Sequence, residues 1–149
     1  MATGDVTIFE EFAAQLGAEN HILTNGGDTI KLGIVDDTVT PTAADASPTW
    51  SDYSANEVSA AGGYVADGLT LANQAYTEAG GVATFDADNI SLSQDAGGFT
   101  DAYWGIIYND TNASDMAIGF VELGGPVSEA AGPVAINWNA SGIFTVTVS

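Results

Sequence analysis

Five Gly-Gly pairs, at 26–27, 62–63, 80–81, 97–98 and 124–125, cut this 149-residue chain into short pieces. Glycine reaches positive φ without the clash that a Cβ brings, so such pairs mark turns. The pieces between them alternate with period two, which is the signature of half-buried strands. Residues 29–35 place Ile30, Leu32 and Ile34 on one face and Lys31 on the other. Residues 82–85 follow Gly80-Gly81 and residues 76–77 precede it, which predicts a hairpin across that pair. Ile90 and Leu92 alternate with serines, and Val134, Ile136 and Trp138 alternate with small or polar residues. Phe144, Val146 and Val148 do the same with Thr145 and Thr147, after a turn at 139–142. Residues 102–108 differ: they are apolar on both faces, as are residues 116–123. A central strand covered on both sides has that composition.

Together these segments predict a mainly β chain, an antiparallel β-sandwich or barrel-like domain of about six to nine short strands. A single domain over residues 1–149 fits the length. One short N-terminal α-helix is expected over residues 5–17, because Ile8, Phe9, Phe12 and Leu16 fall at helical spacing. Residues 36–58, which contain Pro41 and Pro48, lack a clear period and read as a long loop. Loops of that length in compact domains are usually functional.

Charge restricts function more than fold. The sequence has 20 acidic residues and one cation, Lys31, for a net charge of −19. Binding to nucleic acid needs cations that displace phosphate counterions, and an anionic membrane repels such a chain. Phosphate chemistry lacks its Arg or Lys clamp. No cysteine is present, so there is no disulfide, thiol nucleophile or thiolate metal site. The acids are spread along the chain and coat a surface, a pattern that suits a saline medium and a marine or halophilic source. The beginning of the sequence has no basic segment followed by an apolar one, so no signal peptide is expected.

Few residues suggest chemistry. His21 is the lone imidazole, and no Gly-x-Ser-x-Gly elbow accompanies it, so a surface or capping role is the plainer expectation. Paired carboxylates serve glycosidases, but among 20 acids some pair lies close by chance. Asp86 and Asp88, with Asn89, resemble a fragment of a calcium loop, yet the full spacing is absent and an Asx-rich turn has the same composition. No cofactor is expected. Trp50 and Tyr53, in the long loop, are candidates for a partner surface, with a packed loop or a sugar platform as alternatives. Ile8, Phe9 and Phe12 are candidates for a further apolar contact.

The order of six segments carries a resemblance. They are residues 28–35 (DTIKLGIV), 50–58 (WSDYSANEV), 63–71 (GYVADGLTL), 85–90 (FDADNI), 101–108 (DAYWGIIY) and 136–144 (INWNASGIF). This order resembles that of small structural proteins of tailed bacteriophages, which open with a short helix and close with a "W…GIF" strand. The resemblance implies a virion component without enzymatic activity. It implies a decoration or cement protein on the outer surface of an HK97-type capsid, made in the host cytoplasm. The partner would be the major capsid protein, with a homo-oligomer, a trimer above all, at local threefold positions. A tail or host-recognition protein that binds carbohydrate is the alternative. No individual contact residue carries over.

Overall fold

The computed structural model describes residues 4–148. The sequence span read as one domain therefore includes residues 1–3 and 149, which lie outside the described residues, and so does the start of the chain on which the leader was judged. The strands are β1 (Val6–Ile8), β2 (Ile30–Val35), β3 (Leu69–Thr70), β4 (Ala75–Ala79) and β5 (Val82–Asp86). They continue with β6 (Ile90–Leu92), β7 (Ala102–Asn109), β8 (Ala117–Val127), β9 (Val134–Ile136) and β10 (Phe144–Thr147). All the pairings are antiparallel. One sheet has five strands in the order β1-β8-β7-β2-β3; a second has three, β10-β5-β4; a third pairs β6 with β9.

The main core lies between the five-stranded sheet and the two smaller ones. Ile30, Leu32, Ile34, Ile107, Ile118 and Val121 point into it from the large sheet. Phe85, Phe144, Leu92, Val134 and Ile136 meet them from the small sheets, and Phe12 and Trp138 help to fill it. This is the sandwich that the period-two segments predict. The hairpin across Gly80-Gly81 forms as expected, with Ala79 opposite Val82. Both glycines have positive φ, 62° and 84°, as a two-residue turn of the primed type requires.

The other face of the large sheet is also covered. Val35, Ile106, Tyr108, Ala117 and Phe120 form a second cluster there with Phe9, Trp50 and Tyr53. The cover is the segment 36–58, which is a strap rather than a free loop. At its centre are a short helix, α2 (Trp50–Tyr53), and a 3₁₀ turn (Ser54–Asn56). The Asp52 carboxylate accepts the Thr49 N–H at 2.8 Å and so caps that helix. Backbone bonds sew the strap to the sheet: Trp50 N–H to Asp115 O at 2.9 Å, Ala117 N–H to Pro48 O at 2.9 Å, and Val58 N–H to Ile34 O at 3.0 Å. Double cover is why β7 is apolar on both faces.

Two β-irregularities place side chains. Ile107 faces Gly119 while Tyr108 faces Ala117, so Ile118 is an extra residue in β8. That bulge sends Ile118 into the main core while its neighbours Ala117 and Phe120 serve the second cluster. A second register shift separates Ala102 from Trp104.

The helix expected over residues 5–17 is shorter and starts later. Residues Val6–Ile8 form β1, and α1 covers only Phe12–Gly17. The edge of β8 explains the difference, because Val6, Thr7 and Ile8 pair with Val121, Phe120 and Gly119. Gly119 opposite Ile8 leaves room for that strand: a Cβ there would lie 2.7 Å from the Thr7 carbonyl oxygen. The helical spacing of Ile8, Phe9, Phe12 and Leu16 arises instead from a strand, a turn and a helix in succession.

Trp50→Ala removes the largest side chain from beneath the strap. We expect a loss of about 3–5 kcal/mol, the usual cost for a buried Trp. Urea unfolding measures it, and limited proteolysis is expected to cut first within residues 36–49.

Candidate functional site

The residues first expected to face a partner are inside the protein. Phe9, Trp50 and Tyr53 are buried in the second cluster, and Phe12 is buried in the main core. Ile8 is half-buried against that core. The Trp50 ring stacks on Tyr108 with centroids 5.1 Å apart and planes 3° from parallel. It lies over Gly33, where a Cβ would sit 2.2 Å from the indole. The Tyr53 hydroxyl donates to the Asp45 carboxylate at 2.8 Å. Burial pushes the Asp45 carboxyl up, but bonds from Thr42 and Tyr53 outweigh this and hold it below its ordinary value. Trp50 and Tyr53 therefore present no face on which a sugar ring could stack. Sequence alone gives these aromatics no period, so burial under a strap is not readable from it.

Asp86 and Asp88 sit in a turn. An Asp86 oxygen accepts the Ala87 N–H at 3.0 Å, and an Asp88 oxygen accepts from the Asn73 amide at 2.6 Å. The neighbouring Asn89 oxygen accepts the Trp138 N–H at 2.9 Å, and the Trp138 indole donates to the Asp88 carbonyl at 3.0 Å. The segment thus latches β9 to the β5–β6 connection, as an Asx-rich turn does. Among the described residues, no group of three or more His, Cys, Asp or Glu side chains is placed to hold a metal ion.

His21 is not on the surface. It is buried, with Nε2 at 2.8 Å from the Gln15 side-chain Oε1 and Nδ1 at 3.1 Å from the Asn109 side-chain nitrogen. An amide oxygen accepts and an amide NH₂ donates, so the ring is neutral with its proton on Nε2. Asn109 is itself fully buried, and the two hydrogens of its NH₂ are shared among His21, Asp28 at 2.7 Å and the Asn20 carbonyl at 3.0 Å. Its oxygen accepts from Thr111 and Asn112 N–H. The network ties α1 and the following segment to the β7–β8 turn. Burial pulls the His21 pKa from 6.5 down to about 4, opposed by Asp28.

Beside this network lies an open groove of about 330 Å³, lined by Leu16, His21, Ile22, Leu23 and Tyr76, with Glu19 at its rim. Ile22 is 56% exposed, and among the described residues only Val65 and Val148 are comparable large apolar side chains. The Ile22 main chain is clamped: its N–H donates to the Asp28 carboxylate at 2.8 Å, and its carbonyl accepts the Asp28 N–H at 2.7 Å. The Gln74 amide, next to β4, donates to the Asp28 carbonyl at 2.7 Å. An exposed apolar side chain on a main chain fixed from both sides thus stands beside a groove at a sheet edge.

Elsewhere the carboxylates serve structure. Lys31 pairs with Asp110 at 2.9 Å. Asp115, close by, has its carboxyl pushed up by burial and by Asp110 and Asp67, with Lys31 opposing. Glu129 is fully buried, and its Oε1 accepts the Gly63 N–H at 2.7 Å. Glycines at 62 and 98 make space for it, since a Cβ at either would come within 2.6 Å of a carboxylate oxygen. Comparison with models of protein families, with curated proteins and with solved structures gives no match.

Two measurements follow. The unfolded chain protonates His21 near 6.5 and the folded one only near 4, so between those values the unfolded state holds more protons. Stability from this group is complete above pH 6.5, declines as pH falls and is fully lost below about 4. At 1.36 kcal/mol per pKa unit the loss approaches roughly 3 kcal/mol. An NMR titration of the single imidazole is expected to show a midpoint near 4; a midpoint near 6.5 would contradict the buried neutral ring. Secondly, melting temperature is expected to rise as NaCl increases from about 0.01 M to about 1 M, because the screening length falls from ~30 Å to ~3 Å. Scanning calorimetry across that range reads the change.

Proposed function

We propose that this chain is a non-enzymatic structural protein of a tailed-bacteriophage head, which decorates the outer surface of an HK97-type capsid and stabilises it. The order of the six segments from residue 28 to residue 144 supports this. So does the small antiparallel β architecture, which suits a domain laid repeatedly on a lattice.

One observation carries the proposal. Among the described residues every acid except Glu129 is at least partly exposed, and the aromatics are buried except Tyr76, Tyr103 and Trp104, which are half-buried. Trp50, Tyr53, Tyr64, Phe99 and Trp138 are all buried, and the chain carries −19 overall. Such a surface keeps copies apart in solution, because like charge opposes self-association. It also gives no attraction to packaged DNA. Contacts then form where a partner supplies cations and strand edges, and on a capsid that partner is the major capsid protein. Copies meet at threefold positions on the lattice, where neighbouring shell subunits offset their repulsion.

His21 supports no catalytic role in this proposal, since amide side chains occupy both ring nitrogens. Its place is structural, at the base of the groove.

The test is reconstitution. Purified protein mixed with undecorated heads is expected to cosediment at a saturating stoichiometry and to raise the temperature at which the heads lose DNA. Binding to a basic shell surface is expected to weaken as salt rises. Absence of cosedimentation, or a virion map that locates the chain only on the tail, overturns the proposal.

A further inference from the structure

We propose that the outer edge of β4, with the groove walled by Ile22, takes an extended, cation-bearing segment of another protein as an added strand. This deepens the proposal of a binding protein and rests on it, but it does not depend on which partner supplies the segment.

The edge is open. β4 pairs with β5 and lies last in its sheet. Pairing across a two-residue turn alternates, so the orientation of each main-chain group is fixed by its place in the ladder. Phe85 O accepts the Ile143 N–H and Gly81 O accepts the Val148 N–H, so the odd-numbered residues of β5 bond toward β10. The even-numbered ones bond toward β4, where their partners are Ala75, Thr77 and Ala79. The N–H and C=O groups of Tyr76 and Glu78 therefore point away from β5, along the free edge. Residues 77–79 are exposed.

The groove adjoins that edge through Tyr76. Strand addition gains affinity from main-chain bonds and specificity from pockets for alternate side chains. Here the pocket is apolar, and the main chain of its exposed wall, Ile22, is fixed on both sides by Asp28. Gln74 fixes Asp28 to the start of β4, at 2.7 Å. Edge and pocket are thus one preorganised unit, and little ordering opposes binding.

Charge selects the occupant. Glu19 borders the groove and Glu78 lies on the edge strand. A second copy of the chain brings another −19 and only one cation, which is already paired with Asp110. Like charges face to face oppose pairing. The complementary segment carries Lys or Arg at alternate positions and an apolar residue for the groove.

The probe is a synthetic ten-residue peptide of alternating valine and lysine, titrated into the ¹⁵N-labelled full chain. Amide shifts and slowed hydrogen exchange are expected at Tyr76 and Glu78, with shifts at Ile22. Ile22→Ser is expected to weaken binding about tenfold, as the loss of one buried aliphatic group implies. Glu78→Pro removes an outward N–H and is expected to abolish binding, whereas Glu78→Gln keeps that N–H but loses one charge and is expected to bind more weakly without losing binding. If the proline variant does not fold, the same peptide N-methylated along one edge is used on the wild type and is expected not to bind. Shifts spread over the acidic surface, equal binding by Ile22→Ser, or equal binding by the N-methylated peptide would overturn the proposal. Wild-type cosedimentation with heads is scored separately, so failure at this edge is distinguishable from failure of the decoration role.

Discussion

The stacking of Trp50 on Tyr108 above Gly33 is the contact on which the second half of the structure depends. The rings lie 3° from parallel, and only a glycine at 33 leaves room for the indole against the sheet. Without that seat the strap has no anchor at its centre. Without the strap, Ile106, Phe120 and Val35 face water on a sheet whose other side is already buried. The hydroxyl of Tyr108 also donates to the Asp67 carbonyl, which brings the segment before β3 to the same place. One aromatic pair thus joins strap, sheet and edge.

Cohesion in such a chain cannot come from ion pairs, because only one side-chain ammonium exists. The acids are used instead as acceptors for backbone N–H groups. Asp28 holds Ile22, Asp52 holds Thr49, Asp95 holds Gly97, Glu78 holds Gly81 and Glu129 holds Gly63. Hydrogen bonds to a charged acceptor are stronger than neutral ones and fix turns that glycine would otherwise leave loose. At three of the five Gly-Gly pairs, 62–63, 80–81 and 97–98, a permissive turn is thus closed by a carboxylate, whereas Gly124-Gly125 lie within β8 rather than in a turn. That accounts for acids next to glycines in a way that solubility alone does not.

Sequence legibility follows the same division. Period-two alternation is enough to place β2, the β4–β5 hairpin, β6, β9 and β10, although the strap also covers the second face of β2 at Gly33 and Val35. Double apolar faces are enough to mark β7 as central. The signal fails where tertiary pairing, not local pattern, decides. Val6–Ile8 is a strand because β8 offers an edge, and Leu69–Thr70 is a strand because β2 does; neither is long enough to show a period. The same limit hides the strap. Trp50 and Tyr53 look like exposed loop aromatics until Gly33 and Tyr108, far away in sequence, supply their seat. His21 and Asn109, 88 positions apart, give no local sign that they meet. The groove is invisible for a related reason, since its exposed residue, Ile22, belongs to no periodic segment.

Burial of the aromatics changes what the surface can do. A protein that keeps Trp and Tyr outside recognises partners by stacking and by filling pockets with its own side chains. This one buries most of those groups, some under the strap and some in the main core, so the features left outside are chiefly carboxylates, main-chain edges and a few aliphatic side chains, Ile22 among them. Carboxylates set the sign of the partner's charge but are too evenly spread to set its position. A strand edge sets direction and register, because its donors and acceptors repeat at fixed intervals. An apolar pocket beside it marks one point on that register. In the proposed strand addition, position, register and sign come from three parts of the same small region, in which Asp28 ties Ile22 and Gln74 together. Burial makes His21 costly to protonate, and the hydrogen bonds of Asp28 and Asn109 tie the same region together.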